Sequence, residues 1–478
     1  IGGLVLFYLQ SNSNSDANDN LAAIPTRYES LSGRVTYGFK DTYFAEFNMG
    51  YNGSENFAKG HRWGFFPSIA LGYNISEESF FEPLRKVITS MKLRGSWGLV
   101  GNDQIGGERF IYMPTINLSG KGFTTGIDQN YGLSGPVYTR YENNSITWEV
   151  GEKINLGIDL QLLNSLNIVV DIFRETRRDI FQKKGTIPTY LGTGNTDVFG
   201  NLAEMKNQGL DLSIDYNKAF SKDFYMNFKG TFTYAHNEIT KYDEAPKYAF
   251  QSKVGQSANV SQGYLSNGLF LDEAEIDRYN QQMGSTLGAG DIKYLNVSNM
   301  HGYGDDIVDV DDWTWIGNPT VPEIVYGFGP SFKYKNWDFS FFFQGVAKTS
   351  LFMSGFHPFG DNSLRNVLQF VANDRWSPTN QNVDAKYPRL TRKTSLNNTN
   401  PGNSGRTSDY WMRDGSFLKL KNMELGYTFK RMRFYISGSN LLTFSKFDLW
   451  DPEQGGGSGL KYPTQRVFNV GFQMTFNN

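Results

Sequence analysis

Between Gly290 and Asp312 the 478-residue sequence gathers Asn296, Ser298, Asp305, Asp306, Asp309, Asp311 and Asp312 around Gly302 and Gly304. Calcium takes six to eight oxygen ligands in flexible geometry, and carboxylates beside glycines that allow a tight loop can supply them. Asn296, Ser298, Asp305, Asp309 and Asp312 form the candidate ligand set for calcium, the single cofactor the residues point to. The same composition fits a solvated acidic loop ordered by Asx turns, in which each short side chain bonds its own backbone. His301 lies beside these oxygens and could reach a metal; a solvated surface imidazole is its default.

Chemistry of other kinds finds little support. The absence of Cys excludes disulfides, Cys-ligated zinc, iron–sulfur clusters and Cys nucleophiles. The four His (His61, His236, His301, His357) are scattered, no Gly-x-Ser-x-Gly elbow sits on a strand-to-helix turn, and no His-x-x-x-His pair occurs. Gly455-Gly456-Gly457-Ser458-Gly459 has no following helix and no P-loop Lys, and it reads as a flexible loop. Arg174-Glu175-Thr176-Arg177-Arg178-Asp179 mixes signs as a solvated rim does. With 46 Lys+Arg against 48 Asp+Glu there is no broad basic field, so nucleic acid is not an expected partner.

The elements that must position these residues are strands. No window approaches 18 consecutive apolar residues, which rules out membrane-spanning helices. Strict alternation instead recurs in segments of about ten residues. Phe224, Met226, Phe228, Phe232 and Tyr234 share one face of such a segment, and Tyr225, Asn227, Lys229, Thr231 and Thr233 share the other. Between Leu420 and Met423 the alternation slips by one, which predicts a bulge near Asn422. Fourteen strands are predicted, near 1–9, 31–39, 43–53, 62–75, 90–99, 152–162, 165–178, 207–218, 223–238, 322–335, 337–347, 416–429, 432–442 and 465–477.

Their connections alternate in length. Lys40–Thr42, Leu163–Asn164, Ala219–Lys222, Asn336 and Lys430–Arg431 are tight, whereas 100–151, 179–206, 239–321, 348–415 and 443–464 are long. Segments 76–89 and 54–61 depart from this rule. Short turns at one end and long loops at the other are the habit of outer-membrane β-barrels. A soluble sandwich or propeller also alternates, but its apolar faces carry more of the small residues that let sheets interdigitate. The fold class expected is therefore all-β, a transmembrane antiparallel β-barrel. The mid-strand opening at Ile1 leads to the expectation that further polypeptide completes the wall, because open strand edges in lipid cost several kcal/mol per unsatisfied peptide group.

Ordered strings along the chain resemble those of the SusC-like TonB-dependent outer-membrane transporters, specifically the C-terminal half of one. They begin with Leu31-Ser32-Gly33-Arg34-Val35-Thr36-Tyr37, Arg62-Trp63-Gly64-Phe65-Phe66-Pro67-Ser68 and Lys92-Leu93-Arg94-Gly95-Ser96-Trp97-Gly98. Glu204-Met205-Lys206-Asn207-Gln208-Gly209, Ile316-Gly317-Asn318-Pro319, Tyr387-Pro388-Arg389-Leu390 and Asp414 to Asn422 continue the series. Any one string is weak; their order is specific. The resemblance implies a barrel of about 22 strands with a plugged lumen, of which this chain supplies the last fourteen, the plug domain being absent from it. It also implies active import of a glycan or oligosaccharide, energy transmitted by TonB through an upstream segment, a SusD-like lipoprotein lid, and no enzymatic step. A peptide importer of the same family and a secreted, soluble β-rich carbohydrate-binding protein are the alternatives.

On the same resemblance, substrate contact falls to exposed aromatics of the long loops, because sugar rings stack on aromatic faces. Trp313, Trp315, Trp376, Tyr410 and Trp411 are the candidates, with packing of loop on loop as the competing expectation. Trp63, Trp97, Trp148 and Trp337, near strand ends, are expected in the interfacial girdle. Many family members carry a compact Asp-x-Asn-x-Asp-Gly loop where this chain has Asn296 first and an irregular stretch from Asn299 to Gly304.

Overall fold

The structure, a computed structural model, describes residues 1–13, 23–106, 109–188, 190, 197–279, 281–282, 287–303, 305–354, 367–390 and 407–476. His357 and Gly304 fall outside them. No helix among the described residues is long and apolar enough to cross a membrane, which says nothing of a barrel.

Fourteen strands form one sheet in sequence order. They are β1 (Gly2–Asn12), β2 (Thr26–Phe39), β3 (Tyr43–Ser54), β4 (Trp63–Asn74), β5 (Ile88–Asn102), β6 (Glu149–Leu162) and β7 (Leu166–Lys183). Then come β8 (Phe199–Ala219), β9 (Phe224–Lys241), β10 (Ile324–Tyr334), β11 (Trp337–Ala347), β12 (Phe417–Phe429), β13 (Met432–Ser445) and β14 (Val467–Met474). Each predicted strand is present, and the bulge falls between Leu420 and Asn422. The turns Lys40–Asp41 and Leu163–Asn164 hold both residues at φ between 50° and 54°. That is the primed-turn geometry whose twist matches antiparallel strands.

The chain divides into two compact units, Ile1–Ile214 with Ala235–Ala245 and Lys253–Gln256, and Asp215–Tyr234 with Pro246–Ser252 and Ser257–Asn478. In the first unit, Leu156 pairs with Ile172 on one face, and the two are 63% and 61% exposed. A sandwich would bury such a face under a second sheet; here it is left open. On the opposite face Arg94 Nε donates to Asp159 at 2.9 and 3.0 Å, and its Nη2 donates to Asp171 at 3.0 Å. A Cβ at Gly157 would stand 2.5 Å from Asp171 Oδ1 and 2.8 Å from Arg94 Nη2, so only glycine lets the guanidinium lie across that strand.

This unit's buried core belongs to its loop end, where Phe57, Phe66, Ile105, Ile111, Ile146 and Trp148 cluster. Trp148 therefore corrects the girdle assignment. It is 4% exposed, its indole donates to the Arg62 carbonyl at 3.1 Å, and its ring lies 5.3 Å from both Phe57 and Phe66. The short connection 55–62 folds inward onto that indole, which burial satisfies better than an interface would. Trp63 and Trp337, the first residues of β4 and β11, are exposed, and so is Trp97, which lies inside β5, five residues from its end. A hairpin, Thr115–Thr125 with Tyr131–Arg140, adds two strands inside the predicted loop 100–151.

The second unit repeats the two-faced pattern. Tyr427 pairs with Phe434, and Phe434 with Phe472, on the apolar face. Ring stacks of Phe332 on Phe339 and Phe328 on Phe343 extend it. On the polar face Arg433 bridges Asp338 and Glu424, again over a glycine, since a Cβ at Gly426 would meet Asp338 Oδ2 at 2.5 Å. The glycine run 455–459 is not free: Gly457 exchanges backbone bonds with Phe352 and Ser354, and its φ of 128° explains why glycine is needed there.

Candidate functional site

The long loops of the second unit fold into a body with its own hydrophobic core. Short antiparallel pairs knit it: Ser261–Gly263 with Thr314–Ile316, Ser266–Leu269 with Ile292–Tyr294, and Ser350–Phe352 with Met412–Asp414. Tyr264, Leu269, Ile292, Tyr294, Met353, Val371, Trp376, Tyr387 and Trp411 are buried at its centre.

A buried ion pair joins the two longest loops. Arg389 Nε donates to Asp291 Oδ1 at 2.5 Å and Nη2 to Oδ2 at 3.0 Å, and the Asp291 side chain is fully buried. The Gly288 amide donates to the same carboxylate at 2.9 Å, and the Arg389 amide to the Gly290 carbonyl at 2.9 Å. Gly290, at φ 84°, gives way to the Trp376 ring, which a Cβ would meet at 2.4 Å. The strings Gly290-Asp291-Ile292-Lys293-Tyr294 and Tyr387-Pro388-Arg389-Leu390 thus owe their residue types to each other.

This packing sorts the aromatic candidates. Trp376, Tyr410 and Trp411 come together in the loop core. Trp376 is 5% and Trp411 0% exposed, so neither ring offers a face for stacking; the expectation of substrate contact is corrected for both, and loop packing takes them. Tyr410 donates to the Ala385 carbonyl at 2.8 Å, and burial pushes its phenol pKa up. Trp315, half-buried, donates to the Ser252 carbonyl at 2.8 Å. Trp313 is set apart: it rests edge-on against Tyr264 and stays 37% exposed.

The oxygen-rich residues also meet. Ser298 N–H donates to Asp312 Oδ1 at 2.9 Å, and Asp309 N–H to Asp312 Oδ2 at 2.7 Å. Asp309 caps the turn Val310–Asp312 in return, through a bond from Asp311 N–H at 2.8 Å. Asn296, Ser298 and Asp305 close on the same segment. Burial pushes the Asp312 carboxyl pKa up, against the pull of its two backbone donors.

Two groupings escaped the sequence reading. Tyr248, Phe250, His301 and Tyr303 stack at the edge of the acidic loop; the i, i+2 spacing of Tyr248 and Phe250 was the available signal. The second is a cavity of ≈ 480 Å³ lined by Asn440, Thr443, Ser445, Asp448, Trp450, Thr464 and Arg466, with Lys419 and Asp451 at its floor. Lys419 is 1% exposed and is held by Asp451 and by Glu453 at 2.7 Å. Hydroxyls, an amide, ions of both signs and an indole around one hollow suit a polar, ring-bearing ligand.

Comparison with known proteins agrees with this architecture. Residues 7–441 match the family described as TonB dependent receptor-like, beta-barrel. The chain is 27% identical to TonB-dependent receptor P3 of Formosa agariphila, covering 94% of this chain and 46% of that protein. It is 28% identical to TonB-dependent receptor SusC of Bacteroides thetaiotaomicron, covering 94% and 43%. Among solved structures, the RagAB peptide transporter superposes with a TM-score of 0.70 at 21% identity over 95% of this chain and 48% of that one, a likeness of fold. The chain spans about half the length of the curated relatives it matches.

Proposed function

Because the chain belongs to the TonB dependent receptor-like, beta-barrel family, we propose that it supplies wall and ligand-facing loops to a TonB-dependent importer in the outer membrane of a Gram-negative bacterium. The observation that carries this reading is the open apolar face of the strands, of which Leu156 and Ile172 are examples. Acyl chains solvate such a face, and the opposite face, with its Arg94 and Arg433 clasps, lines an aqueous interior. The imported ligand is a glycan or oligosaccharide. Trp313 is an aromatic candidate left 37% exposed, and the cavity lined by Lys419 carries hydroxyl and amide groups, the two kinds of partner that sugar recognition uses. A SusD-like lipoprotein closes over the loops, and TonB acts through a segment outside this chain. The wall performs no chemistry.

The same cavity holds Arg466, Asp448 and Asp451, which could pair the termini of a peptide, and this is the second reading. The test is binding to the full transporter, purified in detergent with its lipoprotein, of a set of oligosaccharides and a set of mixed peptides. Saturable oligosaccharide binding that weakens in Trp313→Ala supports the glycan reading. Peptide binding alone overturns it while leaving import intact.

A further inference from the structure

We infer that the acidic loop between Gly290 and Asp312 closes in this chain without a divalent cation, the Asn296 amide holding together the oxygens that a calcium ion would otherwise bridge. The argument rests on which end of that amide points where. Asn296 caps the short helix Val297–Met300, and its Oδ1 accepts the Asn299 N–H at 2.7 Å. A backbone N–H only donates, so this bond fixes the oxygen on the helix side and sends the NH2 group the other way. There Nδ2 faces the Asp305 carbonyl at 2.9 Å, Asp305 Oδ1 at 3.1 Å and the Ile307 carbonyl at 3.3 Å. Three oxygens thus converge on one electropositive group.

The carboxylates around it are committed to protein donors as well. Asp305 Oδ1 also accepts the Ile307 N–H at 3.2 Å, and Asp305 Oδ2 lies 3.1 Å from the Ser298 hydroxyl. Both oxygens of Asp312 and Oδ1 of Asp309 accept backbone N–H groups. Calcium needs six to eight oxygens at 2.3–2.6 Å with lone pairs turned inward. In this loop an amide nitrogen occupies the focus, and no group of three or more His, Asp or Glu placed to hold a metal occurs among the described residues. The residues present do not fit the ion.

The irregular stretch after Ser298 has its own anchor. It carries His301 onto Phe250, with ring centroids 4.7 Å apart and planes 14° from parallel, and Tyr303 onto Tyr248 at 4.2 Å. Aromatic contacts there take the length of chain that a compact ion-wrapping loop would not contain.

This makes Asn296 a switch between two ways of closing the loop. Asn296→Asp replaces the NH2 group by an unprotonated oxygen facing three others, an arrangement that only a cation relieves. The experiment is hydrogen exchange over residues 292–312 in the full transporter in detergent, in about 1 mM calcium or in chelator. The wild-type loop is expected to exchange equally in both. Asn296→Ala should exchange about 10-fold faster in both, and Asn296→Asp about 10-fold faster in chelator with protection restored by calcium. Wild-type protection that collapses in chelator and returns with calcium overturns the inference. So does an Asn296→Ala loop as protected as the wild type, and so does an Asn296→Asp loop that calcium does not rescue. Because the readout is local, it is independent of whether the importer reading holds.

Discussion

Arg389→Ala should loosen the loop body of the second unit while leaving the wall unchanged. The substitution takes the bidentate partner away from the fully buried Asp291 carboxylate, which the Gly288 amide also contacts. Breaking a fully buried pair from one side costs about 3–5 kcal/mol. Arg389 is itself 29% exposed, so water reaches part of the vacated space, and we discount the cost to about 2–4 kcal/mol. At 1.4 kcal/mol per tenfold, the loop-body amides should exchange roughly 30- to 1,000-fold faster, if exchange proceeds through opening of this joint. Amides of Ile292, Tyr294 and Tyr387, buried beside the pair, report it; those of β10 and β11 are the control. Since the penalty is mostly a stranded charge, Asp291→Asn combined with Arg389→Ala should exchange more slowly than Arg389→Ala alone. A change under about threefold in Arg389→Ala, or a double variant whose losses simply add, would refute the reasoning.

Trp411→Ala removes a fully buried indole and should cost the loop body about 3–5 kcal/mol, read by the same exchange, whereas Trp313→Ala should change its stability by less than about 0.5 kcal/mol and weaken ligand binding instead. Gly426→Val forces a side chain onto Asp338 and Arg433 and should lower the unfolding free energy in urea by about 1–3 kcal/mol; an unchanged midpoint would show that the clasp is dispensable. Burial pushes the Asp451 and Glu453 carboxyls up, but hydrogen bonds from Lys419 outweigh it and hold both below the ordinary carboxylate range. Their stabilisation is therefore complete at neutral pH and lost as pH falls through the depressed values, so proteolysis of 446–464 by an acid-active protease should rise below about pH 4. Equal cleavage at pH 3 and pH 5 would argue against that anchoring.

The wall was legible because membrane strands state their two faces in alternate residues, and even the slip at Asn422 could be read from Leu420 and Met423. What stayed hidden depends on distant encounters. Asp291 and Arg389 lie 98 residues apart, and nothing local marks either as half of a pair. Trp376 and Trp411 look like free loop aromatics until the loops fold on each other, and Trp148 looks like an interface residue until Phe57 folds beneath it. β7 runs on to Lys183 through Arg177 and Arg178 because both faces can be charged there; Arg177 donates to Glu149 at 3.0 Å and Glu175 at 3.1 Å along the ladder. The hairpin Thr115–Thr125 with Tyr131–Arg140 has three register shifts, which erase the period that would have announced it. Composition groups Asn296, Ser298, Asp305, Asp309 and Asp312, and they do lie as hydrogen-bonded neighbours, but which way the Asn296 amide points is set by the Asn299 N–H and leaves no mark in composition.

The central claim, that lipid solvates the apolar face, is tested most directly by site-directed spin labelling along β6 in the full transporter reconstituted in bilayers. The chain contains no Cys, so labels at Lys153, Ile154, Asn155 and Leu156 need no background substitutions within it. Oxygen concentrates among acyl chains and a charged nickel chelate in water, so Ile154 and Leu156 should collide with oxygen and not with nickel, while Lys153 and Asn155 lose the oxygen signal. Labels at Ile154 and Leu156 shielded from both, as under a second protein layer, would contradict the account.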